Sequence, residues 1–128
     1  MGAAKILAVD DEADFELLIT QRFRRQIRDR EFAFCFAHHG EEALAALTAE
    51  PDIELMLLDI NMPGMDGLEL LRVLKERRPE LPVMMVTAYG DDERRRRAAE
   101  YGAMEFVTKP VDFDLLKTQL QQLPAGPS

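Results

Sequence analysis

The stretch Lys5-Ile-Leu-Ala-Val-Asp-Asp-Glu12 decides the fold: a short, near-continuous apolar run leads straight into consecutive acids. A run of this length and character suits a strand covered on both faces, as in a parallel sheet. Four further runs repeat the pattern, at Ala33 to Ala37, Glu54 to Leu58, Pro82 to Val86 and Met104 to Val107. Between them apolar residues recur at helical spacing. Phe15, Leu18, Ile19, Phe23 and Ile27 mark a first helix, with Arg and Glu filling its other face. Ala43, Leu44 and Leu47 mark a second, which must stop by Pro51. Leu68, Leu71 and Leu74 mark a third, with Asp66 as N-cap and Pro79 beyond its end. A fourth runs roughly from Asp91 to Tyr101, with Arg94 to Arg97 in a row and only Ala98, Ala99 and Tyr101 as apolar contacts; Gly102 closes it. A fifth turns Phe113, Leu116 and Leu120 inward. Strand and helix in strict alternation predict an α/β fold, a doubly wound five-stranded parallel sheet with right-handed crossovers.

Composition narrows the class. The 128 residues suffice for one domain and not for two. Residues 1–123 read as that domain, and Pro124-Ala-Gly-Pro-Ser128 as a tail or the start of a linker. With 47% of residues apolar, the core needs no disulfide or structural metal. Lys and Arg number 16 against 24 Asp and Glu, a net charge of -8. That balance disfavours direct nucleic-acid binding, because neutralising phosphates needs surplus cations. A basic membrane-surface helix is disfavoured for the same reason. No apolar run approaches the roughly 20 residues of a membrane span. Met1-Gly2 opens like a myristoylation site, but Ile6 stands where that pattern wants Ser or Thr. The single Cys35 cannot form an intrachain disulfide and, mid-strand, reads as buried and inert. Together with the lack of a secretory signal, this points to the cytoplasm.

Chemistry collects at the strand ends. The first strand runs into Asp10, Asp11 and Glu12, the third into Asp59, the fourth into Thr87 and the fifth into Lys109-Pro110. All leave the carboxyl edge of the sheet, where open α/β folds build their sites. In the order 2-1-3-4-5, a common one for such sheets, strands 1 and 3 are neighbours and Asp10, Asp11 and Asp59 converge. Crowded carboxylates repel, and a hard divalent cation such as Mg²⁺ removes the conflict with oxygen ligands in an octahedron. Lys109 adds a positive charge and Thr87 a hydroxyl donor. Such a pocket suits a small, highly anionic group beside a carboxylate nucleophile, and so phosphoryl transfer onto Asp59.

At these residues the chain resembles a response-regulator receiver domain of two-component signalling, related to the chemotaxis regulators. The motifs are Ile6-Leu-Ala-Val-Asp-Asp-Glu12, Leu57-Leu-Asp-Ile-Asn-Met-Pro-Gly-Met-Asp-Gly67, Val86-Thr-Ala88 and Phe106-Val-Thr-Lys-Pro110, and the likeness runs from Lys5 to about Leu123. It implies a flavodoxin-like (βα)5 fold. It implies Asp59 as phosphoacceptor, with Asp10, Asp11 and Asp59 holding Mg²⁺, Asp11 directly and Asp10 largely through water. The backbone carbonyl of Asn61 completes that implied metal site. Thr87, the backbone of Ala88, and Lys109 are implied as the phosphoryl-binding and switch residues, and Lys109-Pro110 as a cis peptide. Phe106 stands where many receivers carry Tyr; it is the candidate aromatic switch, without a hydroxyl to bond when it turns. A sensor histidine kinase or phosphotransfer protein is the implied donor. The implied output is a further domain or a homodimer, through the fourth helix, fifth strand and fifth helix.

Other readings attach to the same residues. Met62 to Gly67 passes for a simple turn into a helix, and Arg94 to Arg97 for a solvated helix face. His38 and His39 sit in the turn after the second strand, where a metal role would need acidic neighbours. A phosphatase with an aspartyl-phosphate intermediate would want Asp-x-Asp after the first strand and a cap insertion; here the acids are adjacent and no loop is long enough. A pseudo-receiver, binding partners without phosphorylation, would show loss of an acid, the Thr or the Lys, and none is lost. The expected molecule modifies its own side chain and is no enzyme in the turnover sense.

Overall fold

Each apolar run forms a strand, and each periodic run a helix packed back on the sheet. A computed structural model of the chain describes residues 3–60, 67–88 and 90–122. The strands are β1 (Ala4–Val9), β2 (Phe32–Ala37), β3 (Leu55–Asp59), β4 (Val83–Thr87) and β5 (Glu105–Thr108). The helices are α1 (Ala13–Arg22), α2 (Arg24–Arg28), α3 (Gly40–Ala49), α4 (Gly67–Arg77), α5 (Asp92–Glu100) and α6 (Phe113–Gln122). The sheet is wholly parallel in the order β2-β1-β3-β4-β5, the flavodoxin-like arrangement expected. Asp66, Asn61 and the tail from Pro124 to Ser128 lie outside the described residues.

Alternation along the strands assigns the two faces. Leu7, Val9, Met56, Leu58, Val83 and Met85 pack with the apolar sides of α3, α4 and α5. Ile6, Ala8, Leu55, Leu57, Met84 and Val86 pack with those of α1 and α6. The central β3 and β4 are buried throughout, whereas the edge strands β2 and β5 are half-buried along most of their length. Cys35, expected to be buried, is therefore only partly so, because an edge strand lacks a neighbour on one side. Its Sγ lies 3.7 Å from Glu50 Oε2, and burial and that carboxylate together raise the thiol pKa, which keeps it unreactive.

The first helical run is interrupted. It breaks at Phe23, whose φ of -106° and ψ of 19° depart from helical values, although Phe23 N still donates to Ile19 O and Ile27 N to Phe23 O. The fully buried Phe23 ring sits 5.9 Å from Phe32 and 5.4 Å from Phe34, which draws the chain toward the start of β2. Leu18, expected inward, is 38% exposed. Phe15, Ile19 and Phe23, at four-residue spacing, already fill the line facing the sheet. Among the described residues no helix is long and apolar enough to cross a membrane.

Candidate functional site

Register brings the chemistry-bearing strand ends level. Val9 lies opposite Leu58, Asp59 opposite Val86 and Thr87 opposite Thr108. Asp10, Asp59, Thr87 and Lys109 therefore leave the carboxyl edge side by side, at the point where helices diverge to opposite faces. Backbone bonds hold the rim: Asp10 N donates to Ala37 O, Ile60 N to Val86 O, and Lys109 N to Thr87 O at 2.8 Å. The Lys109-Pro110 peptide is cis. Gly67, where α4 begins, approaches the same rim; a Cβ there would lie 2.5 Å from Asp59 O and 2.6 Å from Ile60 Cα. Only glycine permits that approach.

Lys109 is the hub. Its Nζ lies 3.2 Å from Asp59 Oδ2, 3.7 Å from Glu12 Oε1 and 3.9 Å from Asp10 Oδ2. Burial pulls its pKa down, but the carboxylates, Asp59 foremost, outweigh that and the net shift is upward. The ammonium stays charged. Asp59 is 1% exposed and Asp10 4%. Asp10 Oδ1 accepts from Glu12 N at 2.8 Å. Burial, with the Asp59 charge adding to it, pushes the Asp10 carboxyl up to about 6 against the help of that hydrogen bond and of Lys109.

The acids at the end of β1 form one group. Carboxylate oxygens of Asp10, Asp11 and Glu12 all lie within 4.8 Å of one another, Asp10 buried and the other two exposed. Glu12 was legible only as a neighbour of the acidic pair, yet it faces both the group and Lys109. The donor set is entirely hard oxygen, and burial and the Asp59 charge disfavour the ionised form of one member, Asp10, in the absence of a cation. Both features fit Mg²⁺.

Thr87 supplies the second fit. It is 1% exposed, and among the described residues its Oγ1 finds no hydrogen-bond partner. A buried hydroxyl left unpaired costs stability, and an arriving anionic oxygen would relieve that cost. Thr87→Val, which keeps the shape and removes the hydroxyl, is expected to raise the stability of the unmodified protein by about 1 kcal/mol. Thermal melts of the two proteins measure this; a lower melting point for the variant means that the hydroxyl is already satisfied.

Two features escaped sequence reasoning. Arg94, taken as part of a solvated face, sends Nη2 to the carbonyl of Ile60 at 2.9 Å, beside Asp59. Arg95 places its guanidinium carbon 5.0 Å from the centroid of the half-buried Phe106 ring. Arg96 and Arg97 are exposed, as that reading expected. Helical spacing separates faces, but four consecutive arginines give no signal as to which of them reaches from the helix to the sheet. His38 does have acidic neighbours, Glu16 at 3.1 Å and Glu42 at 3.2 Å, on the exposed rim of the same edge. The ring of His39 caps α3 by accepting from Glu42 N.

A buried carboxylate paired with a lysine, an acidic group beside it and an unsatisfied hydroxyl across from it, at the switch point of a 2-1-3-4-5 sheet, define a receiver. The chain belongs to the response regulator receiver domain family, whose pattern matches residues 6–121, and it is a receiver domain of the two-component type. It is 37% identical over 117 residues to the response regulator protein PilR of Pseudomonas aeruginosa, covering 91% of this chain and 25% of PilR. It is 36% identical over 116 residues to the DNA-binding transcriptional regulator NtrC of Proteus hauseri, covering 89% of this chain and 23% of that protein. The chain thus spans about a quarter of the length of these relatives. The receiver domain of NtrX from Brucella abortus superposes with a TM-score of 0.80 at 34% identity, over 91% of this chain and 95% of that one.

Proposed function

We propose that the domain is a cytoplasmic phosphorylation switch that accepts a phosphoryl group on Asp59 from a phosphohistidine of a sensor kinase or phosphotransfer protein. The observation that carries this is the buried Asp59 carboxylate held 3.2 Å from Lys109 Nζ. In the transfer a carboxylate oxygen of Asp59 forms the bond to phosphorus as the nitrogen–phosphorus bond of the donor breaks, and the imidazole keeps that electron pair. Lys109, already charged, pairs with the incoming phosphoryl oxygens without a proton transfer. Thr87 Oγ1 and the backbone N–H of Ala88 are the donors for the remaining oxygens. Asp10, Asp11, Asp59 and the Asn61 carbonyl would hold Mg²⁺, with Glu12 at the rim. Mg²⁺ when bound neutralises charge that develops on the transferring group.

Phe106, half-buried on β5, is the aromatic whose rotation would follow an inward movement of Thr87. The same surface, α5, β5 and α6, is the one offered to an output domain or a second copy. The domain modifies only itself, so it is read as a signalling module and not as a turnover enzyme. Acetyl phosphate with Mg²⁺ serves as a kinase-free test. Intact mass spectrometry is expected to show one added phosphoryl group per chain, stable in acid, labile in base and absent under chelation. A protein that stays unmodified with Mg²⁺ present would favour the pseudo-receiver reading.

A further inference from the structure

Two adjacent arginines grip α5 from both sides. Arg94, 28% exposed, donates to Ile60 O at 2.9 Å, while Arg95 lies over the ring of Phe106. The anchor of the first is rigid. Ile60 is fully buried, its N–H donates to Val86 O, and its carbonyl also accepts from Gly67 N at 3.1 Å. That carbonyl belongs to the residue directly after Asp59. The helix itself is tied to Thr87: Asp91, its N-cap, donates to Ala88 O, so a displacement of Thr87 reaches α5 within a few residues.

From this geometry we propose that Arg94 is a latch that holds α5 in its unphosphorylated placement, with Arg95 on Phe106 as its second point of hold. The inference rests on the phosphorylation of Asp59 proposed above. Inward movement of Thr87 drags α5 relative to a β3 end that cannot follow. The Arg94–Ile60 bond opposes that movement, and a contact made in one state and strained in the other biases the equilibrium toward the first. The grip also answers a chemical deficit. Phe106 has no hydroxyl with which to fix either of its positions, and the guanidinium over its ring supplies a hold of another kind.

Linkage fixes the test. If Arg94 favours the resting state, severing its bond must raise the affinity of the acceptor site for any ligand selective for the active state, by the same factor. The probe is beryllofluoride at saturating Mg²⁺, titrated into the full chain and followed by calorimetry and by hydrogen exchange over residues 83–107. Arg94→Gln is expected to bind about 3- to 10-fold tighter than the parent, the gain from losing the partly exposed charge-assisted bond to Ile60 O. Its α5 amides are expected to exchange faster before ligand is added. Arg94→Lys, which keeps a charged donor, is expected to fall between the two. A residue that merely packed α5 would loosen it in both states and leave the affinity unchanged, and that result, or weaker binding, overturns the latch. Should Arg94→Gln fail to fold, Arg95→Gln carries the test, with a gain of about 2-fold expected and no gain overturning the proposal. Asp59→Asn is the separating control. If it binds beryllofluoride like the parent, the acceptor assignment fails whatever Arg94 does; if the parent does not bind at all, both readings fall.

Discussion

Asp59→Asn is expected to abolish phosphoryl uptake from acetyl phosphate, a loss on the order of 10³-fold or more in rate. The amide has no free carboxylate oxygen to attack phosphorus, and among the described residues no neighbour is placed to replace it. Asp10 shares Lys109, but at 3.9 Å, and one of its oxygens is bound to the Glu12 amide. Glu12 lies 3.7 Å from the lysine but its side chain is 64% exposed, so water competes for both charge and position. Intact mass and the acid–base lability of the product decide the matter. Labelling of Asp59→Asn at more than a few per cent of the parental rate would move the acceptor to one of these acids.

Asp10→Asn is expected to stabilise the metal-free protein, by on the order of 2–3 kcal/mol above pH 7. The sign follows from protons bound. Asp10 has a pKa of about 6 when folded against an ordinary aspartate value of 3.8, so between those pH values the folded state holds more proton than the unfolded. Where that is so, stability falls as pH rises. The penalty is absent below pH 3.8, grows through the window and is complete above about pH 6. Asparagine resembles the protonated carboxyl at every pH and never acquires the penalty. Denaturant unfolding of both proteins in chelator, from pH 4 to 8, is expected to give stability differences that grow with pH and then level off. Adding Mg²⁺ at pH 7 is expected to stabilise the parent by mass action and the variant much less. A difference independent of pH, or an equal response to Mg²⁺, would mean that Asp10 is neither strained by burial nor part of a cation site.

The apolar runs of β1, β3 and β4 were readable because a strand buried on both faces leaves little choice of residue. Burial of those three strands is indeed nearly complete. The edge strands carry similar runs with one flank uncovered, and no pattern within β2 marks Cys35 as half-exposed. Period alone joined α1 to α2, since the apolar spacing continues through Phe23. The break comes from aromatic rings on β2, a contact between segments that local pattern does not contain. Lys109 was placed beside the acids from its position at a strand end, and the structure brings it within 4 Å of Asp10, Glu12 and Asp59. Arg94 was misread for the opposite reason. Its partner is a backbone carbonyl, and a carbonyl has no letter in a sequence.

The hub formed by Lys109 also bears on the order in which the chain is made. Synthesis delivers Asp10, Asp11, Glu12 and Asp59 first, and strands β2, β1 and β3 can pair once β3 has left the ribosome. At that stage the emerging half-domain carries its acids at one edge with no lysine to balance them. Carboxylates brought together in that way repel, or one takes up a proton. The lysine that offsets part of their charge stands 50 residues downstream of Asp59, reached roughly 2.5 to 10 seconds later at about 5–20 residues per second. A nascent chain arrested before β5 would therefore hold its first three strands only weakly at neutral pH. Completion of the last strand and the arrival of the site's lysine are a single event.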